Sequence, residues 1–252
     1  MIDLIDRTSL NAATHYADFI RSLRGELSRI MSLPNPGSPS ARRQFTAGGH
    51  HLIESHLESI SRLLDQGFGE IWAGALGNAL TGEEANEDLR GLRDSLVSVV
   101  DGGPNDHLLA AIRSFMSRDV EYGAQQLKRL AFDIVTMMSD TSLNNAIRGA
   151  VVKSIVGRHN YTHKNNKEWP TIRKTRLSIR HHLLKTHNEI VILVGTSKGE
   201  RQFVVKNESQ EHRNHGMEFT IDRDGDLPWY HDIEATVFHP NSRSLVSRKV
   251  SK

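Results

Sequence analysis

Cysteine is missing from all 252 positions. That excludes disulfide frameworks, thiolate metal sites and thiol nucleophiles, and leaves the redox compartment open. No apolar run approaches the roughly 20 residues that a bilayer span needs. The stretch Met1-Ile2-Asp3-Leu4-Ile5-Asp6-Arg7 carries acids where a secretory leader has a basic region. The expectation is a soluble, cytoplasmic protein with no membrane partner. No P-loop, dinucleotide fingerprint or Gly-x-Ser-x-Gly elbow occurs, so the motif-based routes to nucleotide, dinucleotide and serine-hydrolase chemistry are closed. There is no internal repeat and no long low-complexity tract, and no cofactor is expected.

What is present is ordinary soluble composition, 37% hydrophobic and 25% charged, in a chain long enough for one large domain or two small ones. The formal net charge of +2 conceals an asymmetry. Residues 1–157 hold fifteen basic and nineteen acidic side chains, and residues 158–252 hold seventeen and eleven. The sharpest cationic stretch is 158–187, with eight Lys and Arg against the single acid Glu168, and nine of the 14 histidines lie from 158 onward. Such a stretch attracts polyanions and gains from counterion release.

Apolar periodicity predicts six helices before this stretch. The first spans 9–32, with Thr8 or Ser9 as its cap and the Leu33–Pro39 segment as its stop. The second spans about 41–67, followed by a glycine-rich apolar stretch to Leu80 that reads as a buried turn or short helix allowing close backbone approach. Further helices are expected at about 82–100, from Asp106 through Met116, at about 120–138, and from 143 to Gly157. Residues 171–186 fit either a basic-faced helix or a strand, and the helix is preferred because Pro170 suits a first turn. From 188 the pattern turns to β, with strands expected at 189–194, 202–205, 218–221, 234–238 and 245–250. The fold expected is therefore α+β, with an all-α helical bundle over 1–187 followed by a small antiparallel β domain over 188–252.

At the junction stands Arg158-His159-Asn160-Tyr161-Thr162-His163. An imidazole titrates near neutral pH and can move a proton. A guanidinium keeps its charge and can hold a phosphorane by paired hydrogen bonds. Asn160 can orient either group. The Arg-x4-His spacing with a polar second residue, His159, resembles the signature of the HEPN ribonucleases. The resemblance covers the helical bundle in outline and these six residues in sequence. It implies a homodimer whose two motifs share one cleft, and metal-independent RNA cleavage by attack of the ribose 2′-hydroxyl. It also implies a toxin or antiviral role, with His163 as the acid–base residue and Arg158 on the phosphate. Arg176 with His181 repeats the spacing, and Arg43 with His50 and Arg180 with His187 are longer variants.

Lys164, Lys167, Arg173, Lys174, Arg176 and Arg180 are the cations expected to hold RNA. Two other function classes fit the same pattern: a non-catalytic nucleic-acid-binding protein, and an assembly subunit of nucleocapsid or coat type. Other constellations carry less. His212-x-x-His215 has metal-like spacing without a third ligand, so no metal site is expected. Asp222-Arg223-Asp224-Gly225-Asp226 lacks the downstream glutamate of a calcium loop and reads as a turn. Trp229-Tyr230 is either a stacking surface for bases or the closure of the β domain.

Overall fold

The computed structural model describes residues 1–79, 105–136, 160–162, 168–223 and 225–249. Over these the chain forms α1 (Ile2–Met31), α2 (Pro39–Ala79), α3 (Asp106–Thr136), β1 (Asn160–Thr162), β2 (Glu168–Pro170), α4 (Thr171–Ser197), β3 (Gln202–Asn207), β4 (Glu218–Thr220), α5 (Tyr230–Val237) and β5 (Ser244–Arg248). The class is α+β. The helices expected at 82–100 and 143–157 lie outside the described residues.

The chain divides into two compact units that are not consecutive in sequence. One gathers Met1–Leu10, Leu63–Asp106 and Leu177–Lys252, and the other Asn11–Arg62 and His107–Arg176. The junction expected at 187/188 falls inside α4.

The second unit is a helical bundle. Tyr16, Phe19, Leu23, Leu27 and Ile30 of α1 are fully buried, as are Phe45 and Ile60 of α2 and Ile112, Met116, Val120 and Leu127 of α3. Burying each large apolar side chain is worth about 1.5–3 kcal/mol, so this seam carries the bundle. Arg113 of α3 grips Glu54 of α2 with both of its terminal nitrogens. Further along, a Cβ at Gly49 would come within 2.7 Å of both Val120 methyl groups, and one at Gly123 within 2.6 Å of the Phe45 ring. The partners 54 with 113, 49 with 120 and 45 with 123 run in opposite senses, so α2 and α3 are antiparallel and nearly touch at the two glycines. Tyr16 of α1 donates a 2.6 Å hydrogen bond to the buried Asp119 of α3.

The first unit packs the C-terminal part of α4 with a three-stranded antiparallel sheet in the order β4-β3-β5. Phe203 pairs with Phe219 across β3 and β4, and Phe219, Tyr230 and Phe238 cluster with ring centroids 5.6–6.3 Å apart. Asn188 of α4 accepts the Val246 amide of β5 through Oδ1 at 2.9 Å. Arg180 is buried and donates to Asp6 and to the Pro240 carbonyl, both at 2.5 Å.

Several expectations need correction. Residues 189–194 are helix, not strand. Leu183, Leu184, His187, Ile190, Val191 and Val194 are all buried at helical spacing. The propensity cost of β-branched residues, at most about 0.7 kcal/mol each, is small beside that burial. Helix α4 ends at Ser197 and a turn follows at Lys198 and Gly199, where Gly199 takes φ 81° and its amide bonds the Thr196 carbonyl. Residues 234–237 close helix α5 rather than forming a strand, which leaves β3, β4 and β5 from the five strands expected.

Helix α1 begins at Ile2, not at 9, because Ile2 and Ile5 extend the buried stripe. Ser9 caps nothing and bonds back to the Asp6 carbonyl at 2.9 Å. The glycine-rich stretch after 67 continues α2 to Ala79, and Gly67 and Gly74 face Thr8 and Met1 closely, as a close-approach segment should. The helices expected at 106–116 and 120–138 are one, α3, held through its middle by the bond from Tyr16 to Asp119.

The glycine crossing is testable by stability. Gly25 of α1 is exposed and has nothing within 4 Å of an added Cβ, so Gly25→Ala should raise stability by up to about 1 kcal/mol. Gly49→Ala should lower it by about 1–3 kcal/mol, because the new methyl meets a stiff valine. Denaturant midpoints check both signs, and a stabilising Gly49→Ala would mean the helices do not meet there.

Candidate functional site

The backbone brings part of the Arg158–His163 motif beside the basic stretch. Strand β1 pairs antiparallel with β2, placing Asn160 opposite Pro170, Tyr161 opposite Trp169 and Thr162 opposite Glu168. Pro170 leads directly into α4, whose first two turns carry Arg173, Lys174 and Arg176. Asn160, Tyr161 and Thr162 are therefore strand. Arg158, His159, His163, Lys164 and Lys167 lie outside the described residues. All the described members of this group belong to the helical unit.

Arg173 and Arg176 are exposed and Lys174 is half-buried. Arg180 differs from them. Its side chain is 7% exposed and its guanidinium is consumed by Asp6 and the Pro240 carbonyl. It is a structural cation of the other unit and no part of a nucleic-acid surface.

The helical unit also holds a cavity of about 560 Å³ between the start of α2 and the C-terminal half of α3. Arg42, Arg43 and His50 line it from α2, and Lys128 from α3. Pro39, Thr46, Ala47, Ala124 and Gln125 complete the wall, and no carboxylate is among the lining residues. Sequence reading singled out Arg43 and His50 only as a spacing coincidence. It missed Arg42 and Lys128, because nothing in a linear chain announces that position 42 will meet position 128.

A second group missed in sequence surrounds Lys185 in the sheet-bearing unit. Its ammonium lies 3.2 Å from Glu234 and 3.5 Å from Glu189, and His231 lies 3.6 Å from Glu234. Burial pushes the Glu189 carboxyl above the ordinary range and holds His181 below its own, with Lys185 adding to the second effect. Here every cation faces an acid, so the group is largely self-neutralised. His187 is buried beside Asn188, with Nδ1 3.3 Å from Oδ1, and burial holds it too below the ordinary histidine range. It borders a cavity of about 220 Å³ with Lys206 and Arg248, and Arg248 is bound by Glu200 at 2.8 Å.

The remaining sequence candidates resolve into structure. His215 Nδ1 lies 3.2 Å from the Asn207 amide nitrogen, and His212 Nδ1 accepts the Asn214 amide. Both histidines thus serve their own turn. Among the described residues no three His, Asp or Glu side chains gather as metal ligands. Tyr230 is in the aromatic core, and Trp229 donates to the Ile221 carbonyl at 3.2 Å under the Arg223 guanidinium. That pair closes the β unit. No helix among the described residues is long and apolar enough to cross a membrane. No family model, curated protein or solved structure matches the chain.

The buried histidines set a pH dependence. His181 and His187 have folded-state pKa values below their unfolded ones. Their contribution is present above the unfolded value, about 6.5, and is lost as pH falls toward the folded values. Glu189 is raised and works with the opposite sign, losing its contribution as pH rises. The urea midpoint should therefore drop on acidification from about pH 7.5 to about pH 5.5, and His181→Gln with His187→Gln should flatten that drop. An unaltered slope in the double variant would assign it to His56, which burial also holds below the ordinary histidine range.

Proposed function

We propose that the protein binds RNA through residues 158–176 and cleaves it without a metal at Arg158 and His163. The observation that carries this reading is the β1–β2 pairing. It sets the middle of the Arg158–His163 motif against the residues that enter the basic first turns of α4. A strand of RNA held by the exposed Arg173 and Arg176 would thus run next to the motif. The resemblance of that motif to the HEPN ribonucleases supplies the chemistry.

His163 takes the proton of a ribose 2′-hydroxyl, and that oxygen attacks the adjacent phosphorus. The P–O5′ bond breaks, and the leaving oxygen gains a proton. The products end in a 2′,3′-cyclic phosphate and a 5′-hydroxyl. Arg158 stabilises the extra charge on the phosphorane with its planar fork. His159 and Asn160 orient the pair. By the same resemblance, a second copy of the chain brings a second motif to the cleft. DNA lacks the nucleophile and is not cut.

Binding without cleavage is the second reading, favoured by the same exposed arginines if the motif is silent. The test separates the two. His163→Ala should slow RNA cleavage by about 10²–10⁴-fold while leaving affinity unchanged. Arg158→Lys should also fail, because a point charge does not replace the guanidinium fork. Reversing charge at Arg173, Lys174 and Arg176 should remove binding. It should also flatten the salt dependence, by about 0.7 in the log–log slope for each phosphate of a single strand that is no longer neutralised. Purified protein that binds RNA in a salt-sensitive way yet leaves it intact would leave only the second reading. Unchanged affinity in the triple variant would end both.

A further inference from the structure

We infer that the cavity between α2 and α3 is a binding site for a dianionic phosphomonoester. The inference stands apart from RNA cleavage, since none of its residues belongs to the 158–176 segment. Four observations carry it.

First, the walls bring two guanidiniums and an ammonium together, Arg42, Arg43 and Lys128, with the His50 imidazole beside them. Second, these charges are uncompensated. Arg42, Arg43 and Lys128 make no ion pair with a described residue, and no carboxylate lines the cavity. The nearest acids along the two helices, Glu54 and Glu121, stand a turn beyond the lining residues, and Glu54 is already gripped by Arg113. Third, Arg42 Nε is shut off from solvent and has no hydrogen-bond partner. A buried donor without an acceptor is rare in folded proteins. An anion accepting from the arginine fork would satisfy it. Fourth, small side chains, Ala47 and Ala124, give the cavity its room, and about 560 Å³ falls within the size range of small-ligand sites.

The wall chemistry narrows the ligand. Three fixed cations match a dianion better than a carboxylate, which would leave two of them unanswered. No Phe, Tyr or Trp lines the cavity, and its one ring, the His50 imidazole, is a small platform for a base. Recognition is through the phosphate and not through what it is attached to. The shared chemistry is a terminal phosphate, on a small sugar phosphate or on the end of a nucleic-acid strand.

Three probes test this by calorimetric titration of the full chain at low salt: ribose 5-phosphate, the dinucleotide pUpU, and UpU without the terminal phosphate. Binding of pUpU with at least tenfold loss for UpU is expected. Ribose 5-phosphate binding as tightly as pUpU assigns the site to free phosphomonoesters, and weaker binding assigns it to strand ends. Arg42→Gln should weaken pUpU by about 10- to 100-fold, the usual cost of one charged hydrogen-bond partner. Lys128 is exposed, so Lys128→Gln should weaken binding without touching the core and serves where Arg42→Gln fails to fold. Equal affinity for UpU and pUpU, no binding by either phosphorylated probe, or unchanged affinity in Lys128→Gln would overturn the site.

Discussion

At Gly49 and Gly123 no side chain separates α2 from α3, and the rest of the helical unit is set by that near-contact. Glycine is costly inside a helix, by about 1 kcal/mol relative to alanine. Here it lets Val120 and the Phe45 ring lie against the opposing backbone. The crossing fixes which residues follow along the two antiparallel helices. Toward one end Glu54 meets Arg113. Toward the other, Ala47 and Ala124 keep the interface small while Arg42, Arg43 and Lys128 rise around it. The cavity is thus a consequence of two glycines more than of the residues that line it.

Arginine appears in this protein under two opposite arrangements. Arg180 is buried and answered, with a carboxylate on one nitrogen and a carbonyl on another. Removing one partner of such a pair costs several kcal/mol, because the other is left charged and dry. That makes it a fastener between α4 and the segments carrying Asp6 and Pro240. Arg42 is half-buried and has one nitrogen unanswered. Its environment satisfies neither the charge nor the donor. Residue type alone does not distinguish the two, and neither does local sequence. The partners decide, and they lie 174 residues away for Arg180 and Asp6.

This is also where the sequence stopped being legible. The helical class of the first half was readable because α1, α2 and α3 bury residues at three- and four-residue steps, a local signal. Strands β3, β4 and β5 were readable for the same reason at period two. The run Glu189–Val194 was misread because β-branched composition outvoted a period that Leu183, Leu184 and His187 had already begun. Residues 234–238 fell to the same bias. Arg180 was placed on a basic outer face because its neighbours Arg173, Lys174 and Arg176 are basic, yet it occupies an inward position beside Ile179 and Leu183. Of the candidate site, the strand pairing of Asn160–Thr162 with Glu168–Pro170 adds a proximity that spacing could not supply.

Charge counted along the sequence does not follow the division of the fold. Residues 1–157 carry more acids than bases, but the helical unit is a different set, 11–62 with 107–176, and it holds eighteen Lys and Arg against nine Asp and Glu. Four of its acids are moreover spent locally. Asp18 holds Arg21, Glu26 holds Arg29, Glu58 holds Arg62 and Glu54 holds Arg113. Apart from the largely buried Glu26, these side chains are solvent-exposed, and such pairs add little stability. Each nonetheless cancels a charge on its own face of the bundle. What remains unpaired at the start of α2 is cationic. Over distances beyond about 8–10 Å, salt screens charges outside the cavity from a ligand entering it. The potential felt there is set by Arg42, Arg43 and Lys128, whatever the sum over residues 1–157.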